Sequence, residues 1–262
     1  MSDPMREETA VSREEIARRA LPLVDLTDLG GDCTHDAVDR LCERAVTPRG
    51  TVAAICIWPR FVSHARGRLN GTVPIATVVN FPEGAANEEI TVVETRQAVR
   101  DGADEIDLVL PYIAFAEGDH AAARRMVRAV REEVPDGLLK VILETGELRD
   151  EALIREASRL AIECGADFIK TSTGKVTENA TLESARTMLE EIAASGRRDV
   201  GFKPAGGIRT CEDAGAYLAL ADRVMGADWV GRRTFRFGAS GLLDDLLAAL
   251  DGGDAPVAGS SY

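Results

Sequence analysis

Eight short apolar, β-branched runs, evenly spaced and separated by helical patterns, predict an α/β protein. The expected fold is a closed (β/α)8 barrel of the TIM class with one extra helix at the N-terminus. The run centres from Val24 to Trp229 lie about 29 residues apart, the length of one strand plus one covering helix. The tripeptide Gly-Ala-Asp recurs at 102–104, 165–167 and 226–228, spaced by 63 and 61 residues. Each interval matches two such units, and each glycine is placed to end a helix before a strand. The competing arrangement, an open doubly wound sheet, normally carries a glycine-rich first βα turn, and no G-x-G-x-x-G is present.

Taken in order, Ser12-Arg13-Glu14-Glu15 reads as a capping box that opens a helix through about Leu21, placed to plug the bottom of the barrel. Strands are expected at 23–26, 52–58, 73–80, 105–110, 138–144, 168–172, 200–203 and 229–231. Helical patterns fill 87–100, 119–133, 151–163, 182–194 and 242–250. No linker interrupts the middle, so residues 1–262 read as one barrel domain. It carries an N-terminal extension and helix (1–21) and a tail rich in glycine, serine and alanine (252–262), expected to be mobile.

Composition narrows the function. A net charge of −13 and a pI near 4.8 argue against nucleic acid or anionic membrane as partners. Small anionic substrates are still allowed, since a site can be locally positive on an acidic protein. Cys33, Cys42, Cys56, Cys164 and Cys211 are odd in number and lack C-x-x-C spacing, which suits reduced thiols in a cytoplasmic protein. Only His35, His64 and His120 are available as imidazoles, without ligand spacing, so no metal site is expected.

The chain's four lysines are more telling. Lys140, Lys170, Lys175 and Lys203 fall within 64 residues, and the other 27 basic residues are arginine. An amine can lose its proton and attack a carbonyl, whereas a guanidinium stays charged. Lys140, Lys170 and Lys203 lie within strand-like runs, and alternation lets Lys170 and Lys203 project together into the barrel mouth. Two adjacent ammonium groups disfavour each other's charge, which is expected to lower the pKa of one. Asp107 and Asp25 occupy equivalent strand positions and suit proton transfer, charge neutralisation, or both. The glycines of Pro204-Ala205-Gly206-Gly207 and Phe237-Gly238-Ala239-Ser240-Gly241 suit a phosphate, the second leading into a helix N-terminus, with Lys175 as a flexible contact. Cys56 reads as a core thiol or, if it faces the mouth, a group able to meet an aldehyde.

These strings together resemble the 2-deoxyribose-5-phosphate aldolase family. The resemblance runs from about Asp25 to Leu247 and is most specific at Asp167-Phe168-Ile169-Lys170-Thr171-Ser172-Thr173-Gly174 and Gly201-Phe202-Lys203-Pro204-Ala205-Gly206-Gly207. It implies a class I aldolase that splits 2-deoxy-D-ribose 5-phosphate into acetaldehyde and D-glyceraldehyde 3-phosphate and needs no metal or organic cofactor. By the same resemblance Lys170 is the Schiff-base lysine, Lys203 the lysine that perturbs it, and Asp107 the proton-transfer carboxylate. Gly174, Lys175, Gly206, Gly207, Gly238 and Ser240 fall on phosphate-side positions, with Asp25 and Lys140 also in the substrate site and Tyr262 placed to assist proton transfer. Two positions depart: Gly241 stands where a second serine is common, and Trp58 where tyrosine is common. The alternatives are another Schiff-base aldolase or transaldolase for a different phosphosugar, and a non-catalytic sugar-phosphate-binding barrel. Barrels of this size often pair, so a homodimer is the assembly to test for.

Overall fold

In the computed structural model, which describes residues 11–252, seven of the eight apolar runs become parallel strands with residues buried on both faces. The barrel strands are β1 Val24–Asp28, β2 Ala54–Ile57, β3 Ile75–Val79, β4 Glu105–Val109, β5 Leu138–Ile142, β6 Phe168–Lys170, β7 Gly201–Lys203 and β8 Phe237–Ala239. They pair in the order β8-β1-β2-β3-β4-β5-β6-β7. Between β7 and β8 the ring closes through parallel bridges at Phe202–Phe235 and Ala205–Gly238. There Phe202 N–H donates to Thr234 O at 2.8 Å and Gly238 N–H to Pro204 O at 2.9 Å.

The eighth strand is a correction. The expected run at 229–231 is a turn, in which Trp229 is buried and its Nε1 donates to Arg198 O at 2.9 Å. The true β8 is Phe237–Ala239, a stretch that reads from sequence as a glycine loop because it is three residues long and centred on Gly238. The third Gly-Ala-Asp copy differs from the other two for the same reason. Asp104 and Asp167 each donate a backbone N–H to the preceding strand, to Ile75 O at 2.8 Å and Leu139 O at 2.9 Å, and their carboxylates accept the N–H of the same two residues, both at 2.8 Å. Arg66 and Arg131 hold those two carboxylates in place. Asp228 is exposed and precedes no strand. All three glycines do have the positive φ expected of them, 102°, 93° and 92°, although Gly226, with ψ 149°, lies outside the left-handed helical region.

Around the strands run α1 Arg13–Ala20, α2 His35–Arg44, α3 Val62–Leu69, α4 Glu88–Arg100, α5 Tyr112–Ala116, α6 His120–Glu133, α7 Thr145–Leu148, α8 Glu151–Glu163, α9 Leu182–Ala194, α10 Cys211–Met225 and α11 Leu242–Leu250. Their apolar residues follow helical spacing, as in α6, where Ala123, Met126, Val127 and Val130 are buried. Side-chain caps start most of them, including Asp119, Asp150, and reciprocal boxes at Thr181 and Thr210. Ser12 caps α1 through Glu15 N. Instead of plugging the barrel, α1 packs chiefly on α10 and α11, with Arg13 bonded to Glu212 and Asp245 and Arg19 to Asp222. The expected tail 252–262 and Tyr262 lie almost wholly or wholly outside the described residues.

Candidate active site

Lys140, Lys170, Lys203, Asp25 and Asp107 meet inside the barrel because each occupies an inward strand position. Register places Asp107 beside Lys140 and Lys170 beside Lys203. The Lys170 and Lys203 ammonium groups both donate to one oxygen, Asp107 Oδ2, at 2.8 Å each, and Lys140 donates to Oδ1 at 2.8 Å. Asp25 Oδ2 lies 2.6 Å from Lys203 Nζ. On the opposite wall the inward residues are small and apolar: Ala54 and Cys56 on β2, Ala76 and Val78 on β3. Charge therefore sits on one side of the barrel and faces small apolar side chains on the other.

Burial raises the Asp107 carboxyl, but the ammonium groups of Lys140, Lys170 and Lys203 overcome it and hold it well below the usual carboxylate range. Asp25, with burial likewise opposing, is lowered to about 2 by Lys203, Arg236 and Lys140. The mutual lowering expected of paired lysines does not dominate at Lys203 or Lys140. Burial lowers both, yet Asp107 leads the carboxylates that raise them above the ordinary lysine value. Lys170 has the fewest carboxylate contacts of the three and is the only one not fully enclosed, at 3% exposed.

Both carboxyls bind protons less readily in the folded chain than in the unfolded one. Their stabilisation is therefore complete above the unfolded pKa of 3.8 and is lost as pH falls through it toward the folded values. Asp25 alone contributes on the order of 2 kcal/mol, so urea unfolding midpoints are expected to fall steeply between about pH 5 and pH 2. A flat profile over that interval would contradict the buried ion cluster.

Above the lysines opens a cavity of about 400 Å³, lined by the β1 loop, Thr173 to Lys175, Ala205 to Arg209, and Gly238 to Ser240. Gly174, Gly206 and Gly207 have φ of 82°, 87° and 85°, which L side chains rarely adopt. A Cβ on Gly238 would stand 3.1 Å from Lys203 Cε, so this glycine leaves the lysine its path. Gly241 forms the N-cap of α11 without a side-chain bond. Lys175 Nζ donates to Leu29 O at 2.7 Å, tying the β6 loop across the β1 loop at the cavity rim. Trp58 Nε1 donates to Gly30 O at 2.9 Å and its ring meets Phe81 edge-on, fixing the neighbouring rim. Cys56 is fully buried and faces the interior, where burial raises its thiol. The His35 and His64 rings meet edge-on at 4.7 Å with His64 bonded to Asp39, but among the described residues no group of three or more His, Cys, Asp or Glu side chains could hold a metal.

Sequence reading missed several neighbours of the cluster. Arg209 lines the cavity. Glu105 and Arg236 join the ion network from below, Glu105 lying 2.5 Å from Lys140 Nζ. Its place two residues before Asp107, hence on the same strand face, was the available signal. Glu144, two residues past β5 at the start of α7, has a left-handed backbone, φ 57°, and its carboxylate accepts the Thr173 hydroxyl at 2.5 Å, so a residue with a strained backbone anchors the β6 loop.

A barrel with buried amines beneath a glycine-lined mouth is the architecture of a Schiff-base aldolase. The family model described as DeoC/LacD family aldolase matches residues 19–244. The deoxyribose-phosphate aldolase of Agrobacterium fabrum is 56% identical over 95% of this chain and 96% of its own length. A candidate deoxyribose-phosphate aldolase from Toxoplasma gondii superposes with a TM-score of 0.85 at 25% identity, covering 92% of this chain and 96% of that one. The tetrameric deoxyribose phosphate aldolase of Aeropyrum pernix gives 0.70 at 25% identity, over 90% and 92%. The chain belongs to the DeoC/LacD family of aldolases.

Proposed function

We infer that the protein reversibly cleaves 2-deoxy-D-ribose 5-phosphate to acetaldehyde and D-glyceraldehyde 3-phosphate through a Schiff base on Lys170. The observation that carries this is the sharing of Asp107 Oδ2 by Lys170 and Lys203, buried directly under the glycine-lined cavity. Neutral Lys170 adds to the aldehyde carbon, and loss of water leaves an iminium. The C2–C3 bond breaks as the C3 hydroxyl loses its proton, its electron pair passing into an enamine. D-Glyceraldehyde 3-phosphate departs, C2 is protonated, and water hydrolyses the new iminium to acetaldehyde. Asp107 assists the proton transfers through water. Its depressed pKa makes it a weak base while three cations surround it, and it becomes a better one once Lys170 has given up its proton. Lys203 and Lys140 hold Asp107 in place, and Asp25 holds Lys203.

The phosphate is bound at Gly174, Lys175, Gly206, Gly207, Gly238 and Ser240, at the N-terminal side of α11. Lys175→Met is expected to raise KM for the phosphosugar about tenfold with kcat changed far less, and to weaken inhibition by inorganic phosphate in parallel. Equal losses in kcat and kcat/KM would move Lys175 from binding to chemistry. The reading includes a cytoplasmic location and pairing of two barrels; among the described residues no helix is long and apolar enough to cross a membrane. Release of acetaldehyde from 2-deoxyribose 5-phosphate is the direct test. Inertness toward it together with turnover of another phosphosugar would reassign the substrate.

A further inference from the structure

Beneath the amines lies a pair of charged residues that the reaction scheme leaves without a role. Arg236 enters the barrel just before β8, with Nη1 2.6 Å from Asp25 Oδ1 and Nη2 3.0 Å from Glu105 Oε1. Its guanidinium stands over the Phe168 ring, 5.5 Å from the centroid. Both Arg236 and Glu105 are enclosed, at 4% and 3% exposed, and neither lines the cavity. Branched apolar side chains dominate such interior layers in most barrels, and charges buried there are costly to desolvate.

The charge count inside the barrel suggests what this ion pair does. Lys140, Lys170, Lys203 and Arg236 face Asp25, Glu105 and Asp107, so the fully protonated cluster carries one positive charge in excess. Release of a single proton makes it neutral. Arg236 is the one cation that keeps its charge at any working pH. The groups facing the amines come from every strand: Asp25 from β1, the Cys56 thiol from β2, the uncharged Ala76 and Val78 from β3, Glu105 and Asp107 from β4, Lys140 from β5, Lys170 from β6, Lys203 from β7, and Arg236 ahead of β8; Glu144, beyond β5, binds Thr173 and forms no ion pair with the amines.

We propose that Arg236, backed by Glu105, is a positioning residue of the Schiff-base chemistry: it supplies the fixed buried positive charge that lets Lys170 enter the reaction as a neutral amine, and it clamps Asp25 onto Lys203. This rests on Lys170 being the nucleophile. Without Arg236 the same proton release would leave the cluster negative; without the Glu105 charge it would leave it positive.

The test is the pH dependence of kcat/KM and of borohydride trapping on Lys170, for wild type, Arg236→Met, Arg236→Lys, Glu105→Gln and the double variant Arg236→Met/Glu105→Gln. Loss of a buried positive charge strengthens proton binding by the amines, so the acid limb should move up by about one pH unit in Arg236→Met. Loss of the carboxylate charge should move it down by about one unit in Glu105→Gln, and the double variant should fall between. Arg236→Lys should keep the limb near wild type. A merely structural role would lower stability or kcat without opposite shifts, so limbs that stay put, or move the same way, overturn the proposal. If Arg236→Met does not fold, Glu105→Gln decides alone, since glutamine keeps the shape and can still bond Arg236 and Lys140. Absence of a Lys170 adduct in wild type would overturn the Schiff-base reading, and this inference with it, before any variant is compared.

Discussion

Lys170→Arg should give no borohydride-reduced adduct with 2-deoxyribose 5-phosphate and should lower kcat by at least about 10⁴-fold. Arginine keeps the positive charge that pairs with Asp107 Oδ2 at 2.8 Å, so the network has no reason to collapse. A guanidinium cannot act as the nucleophile at any pH the fold survives. Peptide mass mapping of the trapped wild-type protein checks the position. An adduct on Lys203 or Lys140 would keep the Schiff-base class and overturn the assignment of Lys170. No adduct despite demonstrated substrate binding would favour a non-catalytic sugar-phosphate-binding barrel.

Asp107→Asn should be damaging in two separable ways. Asp107 is fully buried and receives three ammonium groups, so removal of its charge leaves those cations facing one another. Breaking a buried pair in this manner costs roughly 3–5 kcal/mol, which urea or thermal unfolding would register. Turnover should fall by about 10²- to 10⁴-fold, the range of a lost acid–base group. Iminium formation should survive, because crowded ammonium groups surrender a proton more readily. A variant that traps substrate on Lys170 but does not cleave it separates the proton-transfer role from charge neutralisation. Near-normal turnover in a folded Asp107→Asn protein would leave Asp107 only the structural role.

The lysines were legible because composition isolates them: a chain with 27 arginines keeps amines where a guanidinium will not serve. Strand alternation then put Lys170, Lys203, Asp107 and Asp25 on inward faces, as the structure has them. Arg236 was not legible, since its strand partner is a three-residue segment centred on glycine that carries too few β-branched residues to signal a strand. The apolar 229–231 run took its place because Trp229 is buried, and burial in a turn looks in sequence like burial in a strand. Glu144 escaped notice because a left-handed glutamate has no sequence signature.

The sequence by itself determined the repeating βα plan through its seventh strand, the bounds of the helices near 88–100, 120–133, 151–163, 182–194 and 242–250, and Lys140, Lys170, Lys203, Asp25 and Asp107 as interior groups, because these follow from local periodicity, capping and composition. Only the tertiary structure decided which carboxylate oxygen each amine meets, that Asp107 holds three of them, that Asp25 is shared with Arg236, and where the ring closes. Those are relations across the barrel between residues 33 to 211 positions apart, as for Lys140–Asp107 and Arg236–Asp25. Their electrostatics depend on distances and desolvation that exist only once the ring has closed.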